Sequence, residues 1–470
     1  MLNWIWLGFL IIAVLVAGFT GKLPDLTAGA FEAAEGAVMK IALPLMGIWA
    51  IWLGMMRLAE QSGLVQILAR VLRPAMRRLF PEVPSDHPAM GAMVLNMAAN
   101  MLGLGNAATP LGLRAMAHLE RLNPNPGVAT NAMCTFLAIN TASIQLLPTA
   151  AIAILSVNKS SSPTAIVPTA FLASVCAASS GIVAAKLLER LPLFSVRRAA
   201  VEPQQTAPAT ALAEPEAPLA EAVSVPPLSV WGRLALAAFF VCFLIFLALL
   251  VWPETVNQLI ASLRLWPETI NQWLASLHLT APPQPESLLG KPWWLRMLFS
   301  VSILAIPFML AFFPLYAALR RVRVYEQFVE GAKEAFDTAK RVIPFLVAML
   351  VSIKMLQKAG VLDLLGRTLQ PLLDRLHFPA DLLPLVLIRP LSGSATTGIF
   401  VDLVQRLGPD SLASRIAATI YGSTETTFYV IAVYFGSVAI RQTRHAIAAG
   451  LVADTVAVIA SVFLCRLLWA

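Results

Sequence analysis

The sequence predicts an all-α, polytopic membrane protein made of two inverted repeats, each with a re-entrant hairpin and a broken helix. Of its 470 residues, 58% are hydrophobic and 13% are charged, and its mean hydropathy is +0.75. Such a chain lacks the polar surface that a soluble domain of this length needs. Two distant parts of the chain also resemble each other, and polar residues interrupt apolar segments at matching places in both.

The repeat is clearest where residues 39–80 align with residues 339–378. Its paired residues are Pro44 with Pro344, Gly63 with Gly360, Pro74 with Pro371, and Arg78 with Arg375. Further along, residues 135–154 match residues 418–437, so that the polar run NTASIQ meets the polar run GSTETT. Polar groups inside membrane segments cost free energy unless they are paired or line a wet cavity, so these runs indicate functional positions.

The predicted crossings follow the same order in both repeats. Each apolar stretch is close to the roughly 20 residues that a helix needs to cross the hydrocarbon core. In the first repeat they are residues 2–20, 41–58, 128–156 and 164–188. In the second repeat they are residues 295–316, 342–358, 411–439 and 446–466.

Each repeat also contains an apolar stretch that Gly, Pro and polar residues interrupt, at residues 89–119 and 382–403. Broken backbone at membrane depth is tolerated where it is buried in protein or lines a cavity. Both stretches are therefore predicted to be re-entrant hairpins.

The connection between the repeats has no counterpart inside either of them. It holds a Pro, Ala and Glu-rich flexible linker, an extra apolar span at 233–252, and a tandem duplication at 252–265 and 266–279. The duplication is predicted to form two amphipathic helices at the membrane surface. The predicted domains are a first repeat at 1–195, the linker at 196–230, the extra helix with the duplicated insert at 231–293, and a second repeat at 294–470.

Charge placement predicts that the repeats are inverted. The loop 21–40 carries two lysines, whereas the matching loop 317–341 carries six Lys or Arg residues, so the first should face outward and the second inward. Four basic residues oppose this orientation: Lys354, Lys358, Arg367 and Arg375. The extra span supplies the crossing that inversion requires. The expected topology has nine crossings in the cell inner membrane, with a cytoplasmic N-terminus.

The net charge of +8 does not indicate nucleic-acid binding, because the basic residues flank apolar spans as membrane topology requires. The four cysteines form no C-x-x-C pair, and no histidine cluster or nucleophile and base set is visible. We therefore expect no metal, no cofactor and no enzymatic activity. The expected partners are a small polar solute and the lipid bilayer, with a homo-oligomer left open.

Candidate site residues of the first repeat are amides, hydroxyls and glycines. Asn96 and Asn100 share a helical face, while the glycines allow a tight turn whose N–H groups and following helix start would favour an anionic or carbonyl group. The alternative is that the asparagines only hold helices together. The full set is Asn96, Asn100, Gly103, Gly105, Asn106, Thr109, Asn140, Thr141, Ser143 and Gln145.

The second repeat adds charged groups. Arg389 could bind an anionic solute, or could only pair with Glu425 or Asp402. Glu425 and Asp454 are intramembrane carboxylates and the candidates for ion coupling. The remaining binding candidates are Ser392, Gly393, Ser394, Thr396, Thr397, Ser423, Thr424, Thr426 and Thr427.

Long strings in both repeats resemble known families. NMAANMLGLGNAATPLGLRAM and NAMCTFLAINTAS resemble spore maturation protein A, whereas RPLSGSATTGIF and GPDSLASRIAATIYGSTETTFYVIAVYFGSVAI resemble spore maturation protein B. Both families belong to the nucleoside-recognition, or gate-domain, group. The resemblance covers about 1–195 and 294–470 and implies two usually separate proteins fused in one chain. The names of the two families imply a part in spore maturation, but they do not identify a substrate.

The predicted function is an inner-membrane secondary transporter or permease of gate-domain type for a small polar metabolite, such as a nucleoside or an amino acid. Coupling to protons or sodium through Glu425 is a hypothesis. The alternative is a non-transporting membrane scaffold for envelope or spore-maturation assembly. A scaffold predicts polar groups fully paired across a dry contact, whereas a transporter predicts that they line a cavity.

Overall fold

The computed structural model describes residues 2–103, 105–194, 228–252, 255, 292–361, 364 and 378–469. These residues are almost entirely helical, and the described part of the chain contains no β-strand beyond one isolated bridge between Val128 and Gln442. The predicted all-α fold is confirmed. Two compact units are present: the first joins Met1–Val225 with Tyr325–Ala470, and the second is Pro226–Val324.

Helices α2 (Leu23–Gly36) and α3 (Leu43–Gln61) of the first repeat follow each other without a break. A π-helical segment, Ala37–Ala42, joins them, so the chain is helical from Leu23 to Gln61. The expected loop at 21–40 is wrong, because its Ala and Glu residues are good helix formers. The helices are α1 (Leu2–Phe19), α2 (Leu23–Gly36), α3 (Leu43–Gln61), α4 (Leu64–Leu79), α5 (Pro88–Leu102), α6 (Gly105–Arg121), α7 (Asn131–Ala142), α8 (Thr149–Val157) and α9 (Val167–Leu188).

The second repeat follows the same order after the extra helix α10 (Val230–Val251). Most of its loop 317–341 is also helical, because the 36-residue helix α12 (Val324–Ala359) begins there. The helices are α11 (Trp293–Leu319), α12 (Val324–Ala359), α13 (Leu383–Ile388), α14 (Gly393–Leu407), α15 (Leu412–Ser423), α16 (Thr427–Ser437) and α17 (Ala446–Trp469).

Six helical segments in the described residues are long and apolar enough to cross a membrane. They are Leu23–Gln61, Pro163–Leu188, Val230–Val251, Trp293–Leu319, Val324–Ala359 and Ala446–Trp469. The other three predicted crossings correspond to α1 and to the broken pairs α7–α8 and α15–α16. The chain is therefore a multi-pass membrane protein, while the inversion of its repeats and the side of its N-terminus remain predictions.

The repeated glycines adopt the same backbone conformation in both copies. Gly63 and Gly360 each have φ +81°, a left-handed value that favours glycine. Their N–H groups donate to the carbonyl three residues earlier, at 3.2 Å to Glu60 and 2.9 Å to Gln357. Four features of the sequence lie outside the described residues: Pro371, Arg375, the linker at 199–227 and the duplication from 256 to 279.

The second unit is built around an aromatic contact between α10 and α11. The ring centroids of Phe239 and Phe308 lie 5.6 Å apart, and those of Phe243 and Phe308 lie 5.0 Å apart. Large apolar rings of this kind bury much apolar area where two helices pack.

In the first unit, α17 of the second repeat packs against α7 and α9 of the first through small residues. Ala142, Ala177 and Ala453 are fully buried in one cluster. A Cβ atom at Gly181 would lie 3.1 Å from the Cβ of Ala453, so glycine allows the two helices to approach closely. Close approach through small residues is the usual way that membrane helices gain packing energy. The two repeats thus share one core.

Candidate functional site

The two broken helices meet at their breaks. Helix α7 ends at Ala142, where Ser143 takes a left-handed φ of 35°, and α8 starts six residues later. Helix α15 ends at Ser423 and α16 begins at Thr427. Residues 141–148 and 422–427 together form the junction, in which the two repeats contact each other directly.

Backbone contacts join the two sides of the junction. The N–H of Glu425 donates a 2.8 Å hydrogen bond to the carbonyl oxygen of Thr141. A Cβ at Gly422 would lie 2.6 Å from the Cβ of Pro148, so only glycine fits there without displacing the opposite break. Each break thereby supplies a partner for backbone groups that no longer belong to a regular helix.

The hairpin of the first repeat, α5–α6, reaches its own break. Gly103 turns the chain between the helices at φ 78°. The N–H of Leu146 donates to the carbonyl of Met101 at 2.9 Å, and the Nδ2 of Asn100 donates to the Oδ1 of Asn140 at 2.9 Å. The predicted re-entrant hairpin thus has a helical hairpin at its position, with one of its asparagines directed to the junction.

The hairpin of the second repeat makes an equivalent contact through Arg389. The Nε of Arg389 donates to the Oγ1 of Thr424 at 3.0 Å, and its Nη2 donates to the carbonyls of Tyr421 (3.0 Å) and Thr424. Its guanidinium lies 4.7 Å from the centre of the Tyr421 ring. Because these carbonyls belong to the C-terminal end of α15, the cation is favourably placed against the helix dipole and the ring.

The ion pairing that the sequence suggested for Arg389 is therefore absent from the described residues. Among the described residues Arg389 forms no ion pair with Glu425 or Asp402. Asp402 instead accepts a 2.7 Å hydrogen bond from Gln357 and lies 3.8 Å from Arg406.

Glu425 is half-buried at the centre of the junction. Its backbone is fixed by the bond to Thr141, but its carboxylate has no hydrogen-bond or ion-pair partner within the described residues. A carboxylate in this position keeps all of its acceptor capacity for a solute, an ion or water.

Asp454 lies nearby on α17 and is bound to the start of α16. The hydroxyl of Thr427 donates to its Oδ2 at 2.6 Å. Close approach is possible because α17 has glycine at position 450, where a Cβ would lie 2.8 Å from the Cγ2 of Thr427. The carboxylate is 7% exposed.

Sequence reasoning missed Tyr434 and Tyr421, which bind predicted site residues. The Nδ2 of Asn96 donates to the carbonyl of Ala108 at 2.7 Å and to the Oη of Tyr434 at 3.4 Å. Tyr421 forms a 2.8 Å bond with Thr397. The chain has only five tyrosines, and a buried tyrosine hydroxyl needs a hydrogen-bond partner. A tyrosine inside an apolar span could therefore have indicated these positions.

Three further candidates make hydrogen bonds at the start of α14. Thr396 and Thr397 donate to the carbonyls of Ser392 and Gly393, and Ser392 caps the helix by accepting from the N–H of Ala395.

The candidate site residues differ in how exposed they are. The buried candidates are Asn96, Asn140, Thr141, Ser143, Arg389, Thr396, Thr397, Ser423, Thr424, Thr426, Thr427 and Asp454. The half-buried ones are Asn100, Gly103, Thr109, Gln145, Ser392, Gly393, Ser394 and Glu425. Gly105 and Asn106 lie in the first turn of α6, and the Asn106 side chain is outside the described set.

A second contact between the repeats lies in loops outside the membrane spans. Asp410 accepts hydrogen bonds from the Oγ of Ser160 at 2.6 Å and from the N–H of Ser161 at 2.9 Å. Partial burial acts to raise the pKa of Asp410, but the hydrogen bonds from the two serines outweigh it, and the pKa lies below its usual value.

A cavity of about 370 Å³ lies elsewhere, beside the loops that follow α6 and α16. Its polar lining includes Glu82, Asn123, Asn131 and Arg444. Arg444 donates to the carbonyls of Phe194 and Ala129 and to the Oδ1 of Asn131. This cavity contains none of the predicted site residues. No group of three or more potential metal-ligating His, Cys, Asp or Glu side chains occurs in the described ranges.

The fold and the junction define a class of protein: a multi-pass helical membrane protein in which two repeats meet at paired helix breaks. Comparison with known proteins specifies the family. A family model described as Gate, nucleoside recognition, matches residues 42–157 and 339–441. Two relatives that match over more than nine tenths of their own lengths show that the chain belongs to the family of the spore maturation proteins A and B.

The relatives support this membership over nearly their whole lengths. Spore maturation protein A of Bacillus subtilis (strain 168) is 43% identical over 183 residues, which are 39% of this chain and 93% of the relative. Spore maturation protein B of the same organism is 43% identical over 169 residues, which are 36% of this chain and 95% of the relative. Among solved structures, the YdaH transporter of Alcanivorax borkumensis gives a TM-score of 0.40 at 16% identity, covering 98% of this chain and 97% of its own.

Proposed function

We propose that this protein is a secondary transporter or permease whose solute binds at the junction. The observation that carries the proposal is the half-buried carboxylate of Glu425, which has no partner among the described residues and is held by its backbone where two broken helices meet. Retaining an unpaired acid inside a membrane domain is costly, which makes such a residue functional by default. Discontinuous helices from two repeats are the common way to build a transport site near the bilayer midplane.

The half-buried groups around the junction indicate the chemistry of the solute. Asn100, Gln145, Ser392 and Ser394 offer amides and hydroxyls that bind neutral polar groups. The guanidinium of Arg389 donates to the carbonyls at the end of α15, which solvate the cation without an anionic ligand. The junction therefore favours a neutral solute or one bearing an amine, which a nucleoside or an amino acid would satisfy. The family description, nucleoside recognition, agrees with the first of these.

Ion coupling is part of the same proposal. The carboxylate of Glu425 could exchange a proton or hold a sodium ion while its backbone stays bonded to Thr141. Movement of either repeat would break that bond and change the surroundings of the carboxylate. The site thus links its occupancy to the contact between repeats.

A membrane scaffold is the second candidate, and one observation favours it. Many buried polar groups of this region are paired across helices, as in the bonds of Asn96 to Tyr434 and of Thr427 to Asp454. Pairs of this kind hold helices together without any solute. Relatives are named for spore maturation, which is compatible with an assembly role.

A ligand screen separates the two candidates. The purified full-length protein is heated with a panel of nucleosides, nucleobases and amino acids, and a shift in melting temperature identifies a solute. A transporter predicts a hit that disappears in Asn100→Ala and Glu425→Gln and persists in Tyr429→Phe, a control on the exposed side of α16. Uptake of that hit into proteoliposomes would follow. A panel without any hit, or a hit unaffected by both site variants, favours the scaffold.

A further inference from the structure

Asp454 is the only buried acidic residue among those that the structure describes. It is the ninth residue of the 24-residue helix α17 and is 7% exposed. Its Oδ2 accepts the hydroxyl of Thr427 at 2.6 Å, whereas its Oδ1 is buried and has no hydrogen-bond partner among the described residues. A buried carboxylate oxygen without a donor is expensive if the group is ionised and much less so if it is neutral.

The helices packed against α17 do not provide a compensating cation. Helices α7 and α9 present alanines and glycine at this level, including Ala142, Ala177 and Gly181. On these two helices, the thiol of Cys134 contacts Thr443 beyond the start of α17, Cys176 is exposed, and Lys186 is paired with Glu189.

On the side of the second repeat, Arg415 at the start of α15 lies 3.8 Å from Asp410. Tyr434 of α16 is bonded to Asn96, and Tyr429 faces outward. Within the described residues, Arg389 and Glu425 act on Asp454 electrostatically, with opposite signs. Arg389 already donates to the carbonyls of α15.

A proton fits this site better than a metal ion. Hard cations such as Ca²⁺ take about six to eight oxygen ligands, often from several carboxylates. At Asp454 the described neighbours provide the hydroxyl of Thr427, whose hydrogen points toward Oδ2, and no second carboxylate in contact. A proton on Oδ1 removes the charge without requiring further ligands.

We propose that Asp454 carries a proton in this conformation and is the proton-binding residue of the protein, distinct from the solute-facing Glu425. Its use in coupling rests on the proposed function, but its protonation does not. Thr427 is the first residue of α16, so the bond to Asp454 fixes the second break to α17. Loss of the proton would leave a charged Oδ1 in need of a donor, and the break would have to open or Arg389 would have to change partners. Protonation is thereby linked to the geometry of the junction.

Infrared spectroscopy of the purified full-length protein in detergent tests the protonation directly. At neutral pH the wild type should show the carbonyl band of a buried carboxylic acid, and this band should be missing in Asp454→Asn. The band should remain in Glu425→Gln and in the control Asp402→Asn. If Asp454→Asn does not fold, Thr427→Val provides the test, because loss of the hydroxyl should shift the band to higher frequency without removing it.

Three outcomes overturn the proposal: no acid band in the wild type, a band lost in Glu425→Gln or Asp402→Asn and retained in Asp454→Asn, or a band that sodium ions remove at constant pH. The measurement needs no solute. A failed ligand screen would therefore contradict the transport function while leaving the protonation of Asp454 standing, and an absent band would do the reverse.

Discussion

The backbone N–H of Glu425 donates to the carbonyl oxygen of Thr141 across 2.8 Å, and this bond joins the break of one repeat to the break of the other. It fixes the position of Glu425 without using its carboxylate. Backbone order and side-chain availability are thus combined in one residue, which is the arrangement that a binding or coupling group needs.

Replacement of Glu425 by glutamine should not lower stability. The carboxylate has no partner in the described structure to lose, and the change removes an unpaired acid, so the free energy of unfolding should stay the same or rise. Thermal denaturation in detergent measures this, in parallel with the ligand screen. A large loss of stability would show that the carboxylate has a structural role.

Removal of the Tyr434 hydroxyl should destabilise the contact between repeats. Tyr434→Phe takes away a partner of the fully buried Asn96, which should cost about 1 kcal/mol. Tyr429→Phe on the same helix is the control, because Tyr429 is 59% exposed and should tolerate the change. Equal melting temperatures for the two variants would contradict the importance of the Asn96 bond.

Gly112→Ala should destabilise the protein by a different mechanism. A Cβ at Gly112 would lie 2.2 Å from the hydroxyl oxygen of Tyr434, so the buried ring must move. Overpacking of this kind typically costs about 1–3 kcal/mol. Gly91→Ala in α5 has no atom within 4 Å of the new Cβ and should be neutral or slightly stabilising, because alanine is the better helix former.

Gly360→Ala should be destabilising through backbone conformation alone. Its φ of +81° is unfavourable for alanine, while the nearest atom to a new Cβ, the Nζ of Lys22, is 3.9 Å away. The expected loss is about 1–2 kcal/mol. Gly436→Ala, also without a close neighbour but inside a helix, should show no such loss. Unfolding midpoints of the two variants give the comparison.

Asp410 should make stability fall in acid. Because the folded state holds the pKa of this carboxyl below its ordinary value of about 3.9, its contribution is fully present above that value and is lost as the pH falls through the folded-state pKa. The difference in melting temperature between wild type and Asp410→Asn should therefore shrink between about pH 5 and about pH 2. Asp86→Asn is the control, since its side chain is 92% exposed; a pH-independent difference for Asp410→Asn would contradict the argument.

The sequence predicted the elements that depend on local signals. Apolar length predicted the spans, and polar runs predicted both breaks. The loops at 21–40 and 317–341 were wrong because polarity was taken as a sign of loop, whereas Ala and Glu-rich segments form helices next to a membrane.

The partners across the repeats could not be predicted, because they depend on packing between distant segments. Nothing local to Arg389 shows that its acceptors are carbonyls of α15 and not a carboxylate. The same holds for Tyr434, because its close contact with Gly112 is a contact between residues far apart in the sequence. Residue type indicates what a group can bind, and tertiary structure decides what it does bind.

The bond between Asn96 and Tyr434 joins residues 338 positions apart, so its two partners are synthesised at different times. At roughly 5–20 residues per second, about 17 to 70 seconds of translation elapse between the two. Throughout that interval the amide of Asn96 and the carbonyl of Thr141 lack their partners in the second repeat. We expect these two groups to stay in contact with water or with the insertion machinery until α16 emerges.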